Sequence, residues 1–220
     1  MEKKPYGNPY IDILLPYKEV FAPSNAGAVS TVVSDLAYHT TLGYKMHIYG
    51  KPITCPSFPE LCYHEIKPKW PMIYGHNLGL AHSYIAHLQC RDRKPSLIEV
   101  HGRCQVARII AKVNNKLKVA LFLHNDPRVM IGSKTLTERL WLARNLAGIF
   151  ANSNYIKNCF LDGFSAQEID ETPIFLTPLG ATRNLKEKPS KEKTIEEGPT
   201  QPQPSMKSCP KLRLPTGRLN

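Results

Sequence analysis

The spacing of apolar residues switches repeatedly between a period of two and a period of 3.6, which limits the possible folds more than any other feature of the chain. Ile11-Asp12-Ile13-Leu14-Leu15-Pro16-Tyr17 reads as a strand. Val29, Val32, Val33, Leu36 and Ala37 then fall on one face of a helix that stops near Gly43. Residues 44–49 return to a strand, and the proline-punctuated stretch 51–72 reads mostly as loop, with one short strand at 62–66. Ala81, Tyr84, Ile85 and Leu88 mark a helix that ends before Pro95, and 97–101 reads as a strand. Val106, Ile109, Ile110 and Val113 have helical spacing, while 118–124 is near-continuously apolar, as expected of a strand covered on both faces. Leu136, Leu140, Ala143 and Ala147 trace another helix. Residues 148–153 predict a strand, 155–161 a short helix and 174–176 a last strand.

This rhythm predicts a Rossmann-like α/β fold, a parallel sheet with helices on both faces. Such folds bind ligands beyond the carboxyl ends of their strands. Function is therefore expected in the loops 21–28, 101–103, 124–128 and 152–155.

Charge adds a second constraint. Among 220 residues, 29 Lys and Arg face 18 Asp and Glu, an excess of +11 that suggests a polyanionic partner. Residues 181–220 hold nine of the basic residues, four acidic ones and six of the 19 prolines. The sequence thus divides into a domain over 1–180 and a basic, proline-rich tail over 181–220, expected to be disordered. No apolar run approaches the length of a membrane span, and Asp12 interrupts the stretch that would have to serve as a signal peptide. Six cysteines without a CxxC pair argue for reduced thiols in the cytoplasm.

Within the loops, Asn25-Ala26-Gly27-Ala28 enters a helix through small residues. The free N–H groups there suit a phosphate, whereas an ordinary helix entrance would use Ser24 or Asn25 as N-cap. Glu99, two residues from His101, shares its strand face, and Gly102-Arg103 follow. His124-Asn125-Asp126-Pro127 ends the most apolar strand, so two histidines close neighbouring strands at one edge, where a neutral imidazole can hydrogen-bond a hydroxyl. Glu138-Arg139 reads either as part of that edge or as a solvated charge pair. His76, His82 and His87, with Cys55, Cys62 and His64 upstream, match no zinc spacing, and no metal centre is expected. GxGxxG, GxxxxGK[ST] and GxSxG are all absent, which removes the dinucleotide fingerprint, the P-loop and the hydrolase nucleophile elbow.

Taken in order, these segments resemble the N-terminal half of family 4 retaining glycosyltransferases. Leu36-Ala37-Tyr38-His39-Thr40-Thr41-Leu42-Gly43-Tyr44-Lys45-Met46 is similar to the family's LAxxLxxxGHxV, and Ile98-Glu99-Val100-His101-Gly102-Arg103 to IEVHNRP. Leu123-His124-Asn125-Asp126-Pro127 is similar to LHNDP, Glu138-Arg139 to an ER pair, Asn152-Ser153-Asn154-Tyr155 to xSxY, and Thr177-Pro178-Leu179-Gly180 to a PNG turn. The resemblance implies a GT-B arrangement with a nucleotide-sugar donor, no cofactor, and a glycan or lipid-linked acceptor of the kind used in lipopolysaccharide assembly. It implies Asn25, Ala26, Gly27 and Ala28 beside the donor diphosphate and His124 beside the transferring sugar. Glu99, His101, Arg103, Asn125, Asp126 and Glu138 would lie on the acceptor side.

The family's two glutamates separated by seven residues find no counterpart in this chain. The donor-binding half is therefore expected to be missing and transfer impaired. The competing expectation is a non-catalytic binding module of Rossmann-like fold whose basic tail touches an anionic membrane, at its cytoplasmic face, or nucleic acid. Nucleic acid ranks third, because the tail's basic residues are not interleaved with aromatics.

Overall fold

The computed structural model describes residues 9–40, 45–113 and 116–178. The chain divides into two units, Met1–Thr182 and Arg183–Asn220, and the structure described is that of the first. Gly43, Tyr44, Leu179, Gly180 and the tail 181–220 lie outside the described residues.

The strands are β1 (Tyr10–Leu14), β2 (Lys45–Gly50), β3 (Cys62–Glu65), β4 (Leu97–His101), β5 (Val119–Leu123), β6 (Gly148–Ala151) and β7 (Ile174–Leu176). They form one parallel sheet in the order β3-β2-β1-β4-β5-β6-β7. The helices are α1 (Ala28–His39), α2 (Pro71–Gln89), α3 (Cys104–Val113), α4 (Leu136–Asn145), α5 (Asn154–Leu161) and α6 (Ala166–Glu171). This is the Rossmann-like architecture that the alternating period predicts.

Strand direction of travel explains the distribution of helices. From β1 to β2 the chain moves outward one way, and from β4 to β7 it moves the other way. Right-handed crossovers in opposite directions place their helices on opposite faces. Val33 of α1 packs with Ile11, Ile13, Leu15 and Ile48 on one face. Leu80, Tyr84 and Leu88 of α2, Val106 and Ile110 of α3, Leu142 of α4 and Phe160 of α5 join Val100, Leu121, Leu123 and Ile149 on the other. Each such side chain fully removed from water contributes about 1.5–3 kcal/mol, so the larger cluster dominates the stability of the sheet.

The structure differs from the sequence reading in several places. α2 begins at Pro71, well before the periodic residues, and breaks at Gly75, whose φ of 73° takes it out of helical geometry. The periodicity is visible only beyond that break, where one face turns inward. α6 buries none of its residues, which is why no apolar stripe announces it. It is held instead by a capping box between Ser165 and Glu168. The N-cap of α1 is Gly27, not Ser24 or Asn25, and no side chain of its own caps it.

Asp12, which breaks the apolar run of the first strand, is fully buried in the middle of the sheet. Its Oδ2 accepts hydrogen bonds from the Tyr84 hydroxyl and from Arg91, each at 2.7 Å. Among the described residues no helix is long and apolar enough to cross a membrane. Cys55, Cys62, Cys90, Cys104 and Cys159 are free thiols.

Candidate functional site

The sheet order reverses between β1 and β4, so the loops after these two strands diverge and leave a crevice at the carboxyl edge. His101 ends β4 on one side of this point. Beside it, β5 runs in register, with His101 opposite Phe122. Residues two apart share a strand face, so Glu99 and His101 project to the same side as Phe122 and His124. His101 Nδ1 lies 3.2 Å from His124 Nε2, and His101 Nε2 lies 3.7 Å from Glu99 Oε2. The sequence places these three residues near one edge, and the structure brings them into a line.

That line has a defined polarity. His101 is fully buried, and its Nε2 has no hydrogen-bond partner among the described residues. A proton on His101 Nε2 faces the Glu99 carboxylate and leaves His101 Nδ1 as an acceptor for His124 Nε2–H. His124 Nδ1 then carries the free lone pair at the carboxyl edge. The opposite tautomers would turn a lone pair toward the carboxylate. Burial, and next the neighbouring His101, pull the His124 pKa down to about 4, so its imidazole is neutral near pH 7. Such a group donates or accepts a hydrogen bond without adding charge. Gly102, at φ 59°, turns the chain immediately after His101, in a backbone region where side chains other than glycine are strained.

Stacked rings extend the line across the sheet. His101 stacks on Phe122 at 4.5 Å, Phe122 on Phe150 at 4.6 Å and Phe150 on Phe175 at 5.3 Å. Together with Ile11, Leu36 and Met46 from the α1 side, Glu99, Phe122 and Phe150 line a cleft of about 450 Å³. On the opposite face of the sheet, Arg103 and Gly102 border a second cleft, of about 280 Å³, with Asn77, Met130 and Ile131. Asn77 Oδ1 also accepts the Tyr17 N–H at 2.9 Å, and the His76 ring packs on Tyr17 at 4.3 Å. His76 and Asn77 therefore belong to the rim of the crevice. The sequence held no sign of this, because α2 reaches the edge only through the break at Gly75.

The other expected site residues are placed as follows. Asn25, Ala26, Gly27 and Ala28 lead from β1 into α1, on the β1 side of the crevice. The Ser30 N–H, in the first turn, donates to Glu19 Oε2 at 2.9 Å. A Cβ on Gly27 would meet that same carboxylate, so the chain's own anion sits where the small residues suggested a phosphate. Asn125 is exposed. Asp126 caps the 3-10 turn Pro127–Val129 and is gripped by Arg128, which also reaches Asp162. Those Arg128 hydrogen bonds hold the Asp126 carboxyl down to about 2. Arg103 donates to the Gly102 carbonyl, while its Nε is buried without a hydrogen-bond partner among the described residues.

Glu138 closes a capping box with Thr135 at the start of α4 and stands 4.0 Å from Arg108. Arg139 is not part of a solvated pair. It is 5% exposed, and it donates to the carbonyls of Ser133, Lys134, Phe160 and Asp162. Asn152 lies beneath the site, its Nδ2 3.4 Å from the His124 carbonyl. His76, His82 and His87 each face a different aromatic ring, those of Tyr17, Tyr74 and Tyr49.

No protein-family model matches the chain, and no curated protein matches it. Among solved structures it is similar to a sucrose-phosphate synthase from Thermosynechococcus elongatus. The TM-score is 0.48 at 10% identity, over 78% of this chain and 90% of that one. It is also similar to the C-terminal domain of the coenzyme A biosynthesis bifunctional protein CoaBC. There the TM-score is 0.40 at 12% identity, over 72% of this chain and 79% of that one. At these identities the functional reading comes from the chain's own residues.

Proposed function

We propose that this domain is the acceptor-side half of a retaining glycosyltransferase, with His124 hydrogen-bonded to the sugar being transferred. The observation that carries the reading is the line Glu99–His101–His124 at the carboxyl ends of β4 and β5, beside the reversal of strand order. A neutral, oriented imidazole suits a hydroxyl-rich ligand, because it supplies a directional hydrogen bond and no charge. The motifs quoted above give the line its chemical class.

In the proposed reaction the bond from the anomeric carbon to the donor diphosphate breaks, and a bond to the acceptor oxygen forms on the same face. The acceptor's proton leaves with the diphosphate, where negative charge accumulates. His101 and Glu99 act through His124 as positioning residues. A nucleotide-sugar half, in cis or from another chain, would face this edge and complete the cleft. A lipid-linked acceptor would find apolar surface at the start of α2, where the N-cap Trp70 is 60% exposed and Met72 fully so.

A second reading, a non-catalytic binding module, has one observation in its favour: Glu19 already fills the α1 N-terminus that a diphosphate would use. One experiment separates the two. The full chain is titrated with UDP-glucose, GDP-mannose and oligosaccharide acceptors while the His101 and His124 imidazole resonances are followed by NMR, and acceptor mass is monitored for hexose addition. The expected result is a saturable shift at His124, with any transfer reduced about 100-fold or more by His124→Ala. Imidazoles indifferent to every nucleotide sugar and glycan would leave the binding module standing.

A further inference from the structure

We propose that His47, Cys62 and His64 form a site for a first-row divalent cation of borderline softness, Zn²⁺ foremost. The register of two neighbouring strands builds it. In the β2–β3 pair, His47 lies directly opposite Cys62, and His64 is two residues further along β3. All three side chains therefore rise from the same face of the sheet at its outer strand.

The potential ligand atoms are already gathered. His47 Nδ1 lies 2.9 Å from His64 Nε2, and Cys62 Sγ lies 3.6 Å from the first and 3.2 Å from the second. Tetrahedral zinc, with bonds of about 2.0–2.1 Å to nitrogen and 2.3 Å to sulfur, separates its ligand atoms by roughly 3.3–3.6 Å. A point at bonding distance from all three atoms sits about 1 Å above their plane. Such an ion needs no backbone movement and only slight spreading of the three side chains.

The chemistry of the donor set agrees. Two imidazoles and a thiolate select zinc, cobalt or copper over magnesium and calcium, which favour oxygen. Cys62 is exposed, so an ion can enter from solvent and keep a fourth position for water. The His64 ring is held between His47 at 5.1 Å and Tyr49 at 4.8 Å, which limits its rotation. The nearby cation Arg91 is neutralised by Asp12 at 2.7 Å and does not stand as a free positive charge against the ion. The site lies on the sheet face opposite Glu99 and Phe122 and is separate from the His101–His124 line. A bound ion would reinforce the pairing of β3 with β2 at the end of the sheet, where β3 has a neighbour on one side only among the described residues.

The test is titration of the full reduced chain with Co²⁺, followed by competition with Zn²⁺. We expect one Co²⁺ per chain at this site with a thiolate-to-cobalt charge-transfer absorption that Zn²⁺ abolishes. Cys62→Ser should remove that absorption, and His47→Gln or His64→Gln should weaken binding by more than the 10–100-fold typical of losing an outer-shell partner. Cys90→Ser, at an exposed cysteine outside the trio, should leave the titration unchanged. Far-UV circular dichroism and metal-free melting establish that each variant is folded. A wild-type chain with no charge-transfer absorption, or an absorption that survives in folded Cys62→Ser, overturns the proposal.

Discussion

Replacing His124 with glutamine should remove a pH dependence of stability that the fold itself creates. In an unfolded chain a histidine takes a proton near pH 6.5. In the folded protein, burial and the adjacent His101 hold His124 unprotonated down to about pH 4. Between those values the unfolded state binds more protons than the folded state, so stability falls as pH falls through this window and is fully present above it. The difference of roughly 2.5 pH units corresponds to about 3.4 kcal/mol in full, since each unit is worth about 1.4 kcal/mol, of which about 3 kcal/mol is lost by pH 4. Near the middle of the window the slope approaches this unit value.

Glutamine keeps a polar group in reach of His101 and cannot titrate. Urea unfolding of both proteins at intervals from about pH 7.5 to 4 should give curves that diverge as the pH drops. The wild type should lose about 3 kcal/mol more than the variant. A marginally stable domain of this size has only about 5–15 kcal/mol in all, so the effect is large. Parallel stability curves for the two proteins would refute the argument that His124 is neutral because it is buried beside His101.

Two further perturbations test other parts of the structure. Arg91→Met leaves the fully buried Asp12 carboxylate facing only the Tyr84 hydroxyl and should cost about 3–5 kcal/mol; adding Asp12→Asn should recover much of that, a coupling read from a urea double-mutant cycle. Glu19→Ala removes the carboxylate that accepts the Ser30 N–H, so it should cost about 0.5–2 kcal/mol while strengthening diphosphate binding at the exposed helix end; calorimetry with UDP that finds no gain would count against a phosphate site at Gly27.

Much of the sheet was legible because burial leaves a local signature. Val119–Leu123 is continuously apolar since the strand is covered on both faces, and Val106 and Ile110 repeat at helical spacing because α3 turns one face inward. The histidines that end β4 and β5 could also be assigned to one edge, since parallel strands present their carboxyl ends together. Polar residues were harder. Glu138 and Arg139 read alike as a charge pair, yet one caps a helix and the other is buried among carbonyl oxygens. Glu138 carries a local sign in its T-x-x-E spacing to Thr135, but nothing local marks Arg139, whose partners lie on segments up to 23 residues away.

The sequence by itself determined the class of fold, the alternation of most of its elements and the strand-end residues that meet the carboxyl edge, because these follow from the side-chain period of each segment and from strand direction. Tertiary structure decided which groups face one another. Pairing register set His47 across from Cys62 and brought His101 within 3.2 Å of His124. The path of the β1–α1 loop carried Glu19 back to the helix it caps. Distances of this kind depend on strand order and register between segments far apart in sequence, and hydrophobic periodicity within one segment carries no information about either.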